Sequence, residues 1–203
     1  MGKKKAIFLD RDGTINVEVQ YLCDVKDFQF IPGVPYALKR LKDAGYLLVV
    51  VTNQSGIGRG YYDEAALHAI HDHMHADLAI YGASIDACYF CPHHPEHATG
   101  DYLKECSCRK PLPGMLQQAA LDLDIDLSAS YMIGDKLADV EAGINAGCTP
   151  IMVLTGYGSA HVVDIPEGVK AYPDLLLAVD AILAPDGKES EQLSEERTAP
   201  PND

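Results

Sequence analysis

Residues 6–14 read AIFLDRDGT, and the fold turns on how they are understood. Ala6 to Leu9 form an apolar run without polar alternation, the pattern of a strand covered on both faces. Asp10, Asp12 and Gly13 then end it in turn chemistry. Three readings of the two aspartates compete. A plain polar turn needs nothing further. A calcium loop opening at Asp10 requires glycine at its sixth position, which is Ile15, so that reading fails. The third is a nucleophile with an acid/base partner. Were the strand direction to persist through residue 12, Asp10 and Asp12 would leave the same face and flank one reacting group.

Outward from this strand the chain alternates β-rich and helical runs. Val34, Leu38 and Leu41 recur at helical spacing in 34–45, which stops at Gly45. Residues 46–54, YLLVVVTNQ, predict a second two-sided strand. Asp63 opens and Gly82 closes a helix over 63–82. A strand at 85–90, a helix at 113–124 with Pro113 at its start, a strand at 130–135, a helix at 137–147, a strand at 149–156 and a last helix over about 173–183 follow. Such alternation predicts an α/β domain over 1–185 with a mainly parallel sheet flanked by helices. Its functional site belongs at the carboxyl ends of the strands, where Asp10, Thr52, Cys91 and Asp135 all fall. No segment is long enough to form a separate cap domain. Residues 186–203 are polar and acidic and are expected to form a disordered tail.

The 203 residues carry 30 Asp and Glu against 16 Lys and Arg, a formal net charge of −14. That surface repels nucleic acid and anionic membranes, so neither is an expected partner, and any anionic substrate must meet locally concentrated cations. The first apolar run is too short for a secretory segment, and Gly2 is followed by Ala6 where a myristoylation register needs Ser or Thr. No run approaches the ~18 apolar residues of a membrane span. A cytoplasmic protein is expected, and a monomer, since nothing suggests a large obligate interface. In that compartment clustered cysteines bind metal more readily than they form disulfides.

Several further stretches carry chemistry. Thr52, Asn53, Gln54 and Ser55, followed by Gly56, end the second strand with hydroxyl, amide and backbone donors able to cradle phosphate. GDKLAD supplies Asp135, Lys136 and Asp139; helix N-terminal acids favoured by the macrodipole are the competing explanation for Asp139. In CPHHPEHATGDYLKECSCRKP, Cys91-x-His93 and Cys106-x-Cys108 are two close pairs separated by twelve residues. Three thiols and an imidazole suit tetrahedral Zn²⁺ and leave it no open position, which makes the ion structural. Spacing alone leaves the histidine open among His93, His94 and His97. Cys108 directly precedes Arg109 and Lys110, so a metal here would aim two cations at the site.

DRDGT, a strand ending in Thr52, then Lys110, then GDKLAD, in that order, resembles the haloacid dehalogenase-like (HAD) phosphatase superfamily over roughly residues 6–155. The resemblance implies a Rossmann-like fold in which Asp10 attacks phosphorus and Asp12 serves as acid, then base. It implies Mg²⁺ held by Asp10, the Asp12 carbonyl and Asp135, with Thr52 and Lys110 binding the phosphoryl group. CPHHP and CSCRKPLPGM, joined to FLDRDGTINVEVQYL, narrow the likeness to the zinc-loop, histidinol-phosphatase-like group. This implies His93 as the fourth zinc ligand and a small phosphorylated sugar as substrate, with histidinol phosphate as the alternative. Substrate contacts implied are Glu18, Val19, Gln20, Tyr21, Thr52, Asn53, Gln54, Ser55, Arg109, Lys110 and Lys136. The chain departs from the group where glycine is expected before Tyr21 and Gln20 stands instead. A zinc-stabilised binding module without turnover is the rival of another class; crowded carboxylates beside a lysine argue against it.

Other features read as structural. His68, His71, His73 and His75 are expected on a polar helix face, Cys23, Cys88 and Cys148 as buried thiols, and Lys3–Lys5 as a solvated lead-in to the first strand. Arg59 is equally suited to a phosphate or to a surface ion pair.

Overall fold

The computed structural model describes residues 2–184; the expected disordered tail lies outside the described residues. Its strands are β1 (Ala6–Leu9), β2 (Leu47–Asn53), β3 (Ala87–Cys91), β4 (Tyr131–Gly134), β5 (Thr149–Val153) and β6 (Lys170–Tyr172). Its helices are α1 (Val34–Asp43), α2 (Ser55–Gly58), α3 (Glu64–Ile80), α4 (Gly114–Leu123), α5 (Leu137–Ala146) and α6 (Leu175–Leu183). The strands form one parallel sheet in the order β3-β2-β1-β4-β5-β6, the doubly wound Rossmann-like arrangement.

The period of two in β1 explains why both faces need cover. Ile7 and Leu9 point to one side and pack with residues of α1, α3 and α6, including Leu38, Leu41, Ile70, Met74 and Ala178. Ala6 and Phe8 point to the other and pack with residues of α4 and α5, including Met115, Leu116, Ala119 and Ala142. All four strand residues are completely buried, each large one contributing about 2 kcal/mol of hydrophobic stabilisation. Asp63 caps α3 by accepting from the Ala66 N–H at 2.9 Å, and Asp174 caps α6 in the same way through Leu177.

Three local outcomes differ from the sequence reading. β3 runs through Cys91, so the first thiol sits on a strand rather than in a loop. The edge strand β6, three half-exposed or exposed residues, is too short and too polar to show a pattern. α2 is a single turn whose two glycines disguise it. No helix among the described residues is long and apolar enough to cross a membrane.

The chain leaves β1 toward β2 on one side and reaches β4 on the other. That reversal opens a crevice at the carboxyl ends of β1 and β4, the default ligand position in such sheets. Asp10 follows β1 and Asp135 follows β4, with Leu9 and Ile133 in register and the Asp10 N–H donating to Ile133 O at 2.9 Å.

Candidate active site

Over this crevice lies a cavity of about 500 Å³ lined by Asp10, Asp12, Thr52, Arg109, Lys110 and Lys136 among others. Asp10 is 4% and Lys110 3% exposed, and the Lys110 ammonium stands 2.9 Å from Asp10 and 2.6 Å from Asp139. It also donates to Val51 O at 2.7 Å. Burial alone would lower the lysine's pKa, but Asp10 and Asp139 outweigh it and raise it, so the group stays cationic. Asp139 spends its second oxygen on the Lys136 N–H at 3.0 Å, at the start of α5. The helix-terminal explanation for Asp139 therefore holds, and the same carboxylate also fixes Lys110.

β1 ends at Leu9, so strand alternation does not set Asp10 and Asp12 on one face as the conditional reading required. They still line one cavity, with different partners. Asp12 accepts from Arg11 at 2.8–3.2 Å, from Asn16 at 2.9 Å and from Gln54 at 2.9 Å. Burial would raise its pKa; the Arg11 guanidinium and these hydrogen bonds win, and the carboxyl sits below its usual range. Arg11 is fully buried, and behind it His71, 5% exposed, lies 3.5 Å from the guanidinium. That corrects the polar-face expectation for His71. Burial, then the Arg11 charge, pushes this imidazole down to about 3, so it stays neutral.

Asp135 is fully buried, and one of its oxygens has no hydrogen-bond partner. The other accepts from the Tyr157 N–H at 2.8 Å. Burial first, and the Asp10 charge second, push its carboxyl up to about 7. Gly13, at φ 85°, packs its bare Cα against this carboxylate, where any Cβ would collide. Asp10, Asp135 and Asp139 bring carboxylate oxygens within 4.8 Å of one another with only Lys110 buried among them. The half-buried Lys136 ammonium adds a second cation 3.9 Å from Asp135, but three anions against two cations still leave an excess negative charge that a buried site does not tolerate alone. An unpartnered oxygen and an all-carboxylate donor set suit a hard divalent cation.

The remaining predicted contacts divide. Glu18, Gln20 and Tyr21 line the cavity, and Glu18 bridges to Lys136 at 3.3 Å while accepting from the Gln20 N–H at 2.9 Å. Gln20 and Tyr21 both adopt left-handed backbone, φ 51° and 53°, where glycine would be unstrained. Val19 is turned outward: with its neighbours Glu18 and Gln20 facing in, its side chain lines a neighbouring groove instead. Asn53 faces the cavity, but its amide is committed to Lys110, donating to the backbone O at 3.0 Å and accepting from the N–H at 3.1 Å. Gln54 likewise serves Asp12 and Thr52. Ser55 lines the wall.

At the end of β3, four donors converge. Cys91, Cys106 and Cys108 have sulfur–sulfur distances of 3.2–3.5 Å, and His93 Nδ1 lies 3.4 Å from Cys108 and 3.6 Å from Cys91. A tetrahedral thiolate site with bonds of about 2.3 Å has edges of about 3.8 Å, a little longer than this spacing. His93 and not His94 belongs to this cluster; the His94 Nδ1 instead accepts from the Glu96 and His97 N–H groups, both at 3.1 Å. Arg109 donates to the His93 carbonyl at 3.2 Å, so the cluster and the cavity share a wall.

A HAD-hydrolase-like family model matches residues 107–177. The chain is 53% identical over 155 residues to the D-glycero-beta-D-manno-heptose-1,7-bisphosphate 7-phosphatase of Haemophilus ducreyi, covering 75% of this chain and 85% of that one. It is 45% identical over 179 residues to the enzyme of the same name from Yersinia pestis, covering 82% and 95%. The chain belongs to the heptose bisphosphate phosphatase family of HAD-like hydrolases. A solved family member, D,D-heptose 1,7-bisphosphate phosphatase from B. bronchiseptica complexed with magnesium and phosphate, superposes with a TM-score of 0.80 at 40% identity, covering 88% of this chain and 98% of that one. Its magnesium agrees with the divalent character of the carboxylate pocket here.

Sequence reasoning for this heptose bisphosphate phosphatase family member missed four residues around the site: Arg11, Tyr62, His71 and Tyr157 as a cavity or support residue. Arg11 looks like a surface charge between two aspartates, and no local pattern reveals its burial. Cys23 is exposed rather than buried, Cys88 half-buried, and Cys148 buried as expected. Lys3–Lys5 are exposed as expected, with Lys5 over the Tyr46 ring at 3.9 Å. Arg59 does not line the cavity, and its Nε is buried without a hydrogen-bond partner.

Proposed function

We propose that this chain is a magnesium-dependent phosphatase that hydrolyses the 7-phosphate of D-glycero-D-manno-heptose 1,7-bisphosphate, in nucleotide-activated heptose biosynthesis. The observation that carries the chemistry is Asp10, buried beside a cationic lysine and an unsatisfied Asp135 oxygen at the topological switch point. Family membership carries the substrate, and the relatives' names specify the β anomer.

A carboxylate oxygen of Asp10 attacks phosphorus, and the bond between phosphorus and the sugar oxygen breaks. Asp12 gives its proton to the departing alkoxide. It then takes a proton from water, whose oxygen attacks the aspartyl-phosphate, so that the bond from Asp10 to phosphorus breaks and inorganic phosphate leaves. The donors around Asp12 favour its ionised form, suited to the second step; an anionic phosphoryl group nearby favours the protonated form the first step uses. Lys110 and Thr52 hold non-bridging oxygens, and Asn53 fixes the lysine backbone. Asp10, the Asp12 carbonyl and Asp135 would hold Mg²⁺, which when bound supplies the positive charge that lets a phosphate dianion approach these carboxylates. Cys91, His93, Cys106 and Cys108 would hold Zn²⁺, which when bound would serve as a structural ion that keeps Arg109 and Lys110 in place. Glu18, Gln20, Tyr21, Ser55, Arg109 and Lys136 contact the sugar and its second phosphate. The enzyme acts as a cytoplasmic monomer on a diffusible sugar.

The test is phosphate release with Mg²⁺ from both anomers of heptose 1,7-bisphosphate, from fructose 1,6-bisphosphate and from histidinol phosphate, with Asp10→Asn as control. A preference for the β-heptose bisphosphate and a silent Asp10→Asn protein are expected. Preference for histidinol phosphate would overturn the substrate, and a turnover-competent Asp10→Asn protein would remove Asp10 as the nucleophile.

A further inference from the structure

We propose that Tyr62 is a positioning residue of this reaction: its hydroxyl fixes the buried Gln54 amide so that one NH₂ group serves Asp12 and Thr52 together. The inference rests on the reading of Asp12 as acid/base and Thr52 as phosphoryl anchor.

Gln54 is 3% exposed, and both the nitrogen and the oxygen of its amide are engaged. Its Nε2 donates to Asp12 Oδ2 at 2.9 Å and to Thr52 Oγ1 at 2.8 Å. Its Oε1 accepts from the Tyr62 hydroxyl. One amide therefore joins the group that moves protons to the group that holds the phosphoryl oxygens, and among the described residues its oxygen accepts from Tyr62 alone. Rotated by half a turn, the same amide would set an acceptor against the Asp12 carboxylate, so its orientation decides whether the contact helps or harms.

Tyr62 is itself rigidly placed. It immediately precedes Asp63, which caps α3. Its ring lies on the bare backbone of Gly56, where a Cβ would collide with Tyr62 and come within 2.9 Å of the Tyr21 ring. Glycine at 56 is thus what admits the ring that reaches Gln54. Without the hydroxyl, Gln54 Oε1 would be a buried acceptor with no partner, and the cheapest remedy is for the amide to swing toward the open cavity. That movement takes Nε2 away from Asp12 and Thr52 at once, although the Tyr62 hydroxyl donates to Gln54 and not to either of them.

The experiment is a double-mutant cycle on heptose 1,7-bisphosphate hydrolysis, with Tyr62→Phe, Gln54→Ala and the double variant, each checked by thermal melting and with Asp12→Asn alongside. Tyr62→Phe should lower kcat by roughly 10-fold to 100-fold with KM changed less than about three-fold. The double variant should be no slower than Gln54→Ala alone, because Tyr62 acts only through that amide. Full kcat in Tyr62→Phe, multiplicative losses in the double variant, or a loss expressed in KM would each overturn the proposal. So would a fully active Gln54→Ala protein, whatever the stability of the tyrosine variant. A turnover-competent Asp12→Asn protein would instead bring down the acid/base reading and this inference with it; an inactive one beside an unaffected Tyr62→Phe brings down the inference alone.

Discussion

Replacing Asp135 by asparagine should make the magnesium-free protein more stable above neutral pH while destroying its capacity to hold the ion. The side chain is fully buried with one oxygen unpartnered, and burial and the Asp10 charge raise its carboxyl from 3.8 to about 7. The folded state therefore keeps a proton that the unfolded chain releases between 3.8 and about 7. The penalty is absent below that interval, grows through it, and is complete above about pH 7. At about 1.4 kcal/mol per pH unit the whole interval is worth roughly 4 kcal/mol. For a chain of this length that corresponds to roughly 8–16 °C in melting temperature. The assay is thermal and urea unfolding at pH 5.5 and pH 8 in magnesium-free buffer without chelator, since a chelator would also strip the cysteine–histidine site. About half of the penalty should appear in the wild type between these two pH values and be recovered on adding Mg²⁺. Asp135→Asn should lack that component, exceed the wild type at pH 8 without magnesium, and gain nothing from the ion. An Asp135→Asn protein less stable than wild type under those conditions would refute the claim that Lys136, 3.9 Å away, leaves this buried carboxylate under-compensated.

Cys106→Ser should lower zinc content by direct metal analysis, reduce the melting temperature, and abolish turnover by releasing Arg109 and Lys110; a zinc-free variant with full stability and activity would contradict the staple role. Asn53→Ala removes both hydrogen bonds that hold the Lys110 backbone, a loss of about 1–3 kcal/mol, so kcat should fall by roughly 5-fold to 150-fold. Zinc content should not change in that variant, and an unaltered kcat would return Asn53 to the role of a substrate contact only.

Much of the fold was legible because its signals are local. Ala6–Leu9 and residues 47–51 are apolar without alternation because helices cover both faces of the sheet, and that pattern needs no knowledge of the partners. Gly45 and Gly82, both at positive φ, ended helices where the sequence predicts them to end. β6 was hidden because three residues at a sheet edge bury too little to leave a periodicity. The conditional argument about Asp10 and Asp12 failed for a related reason: where a strand stops is set by pairing with its neighbours, and β1 pairs only as far as Leu9.

By itself the sequence determined the α/β alternation, the placement of Asp10, Thr52, Cys91 and Asp135 at strand ends, and the three thiols that meet at one point. Composition, hydrophobic period and motif spacing carry those facts along the chain. Spacing left His93 and His94 open and only the resemblance chose between them; the tertiary structure sets His93 among the three thiols, since the two differ in direction and not in spacing. It alone buried Arg11 against Asp12 and His71, gave the Asn53 amide to Lys110 and the Gln54 amide to Asp12 and Thr52, and carried Tyr62 to Gln54. These are contacts between hydrogen-bonding groups whose partners lie on other elements or depend on how a loop turns. Their identity is set by which strand ends and loops the sheet order brings together, and no local pattern of residues encodes that order.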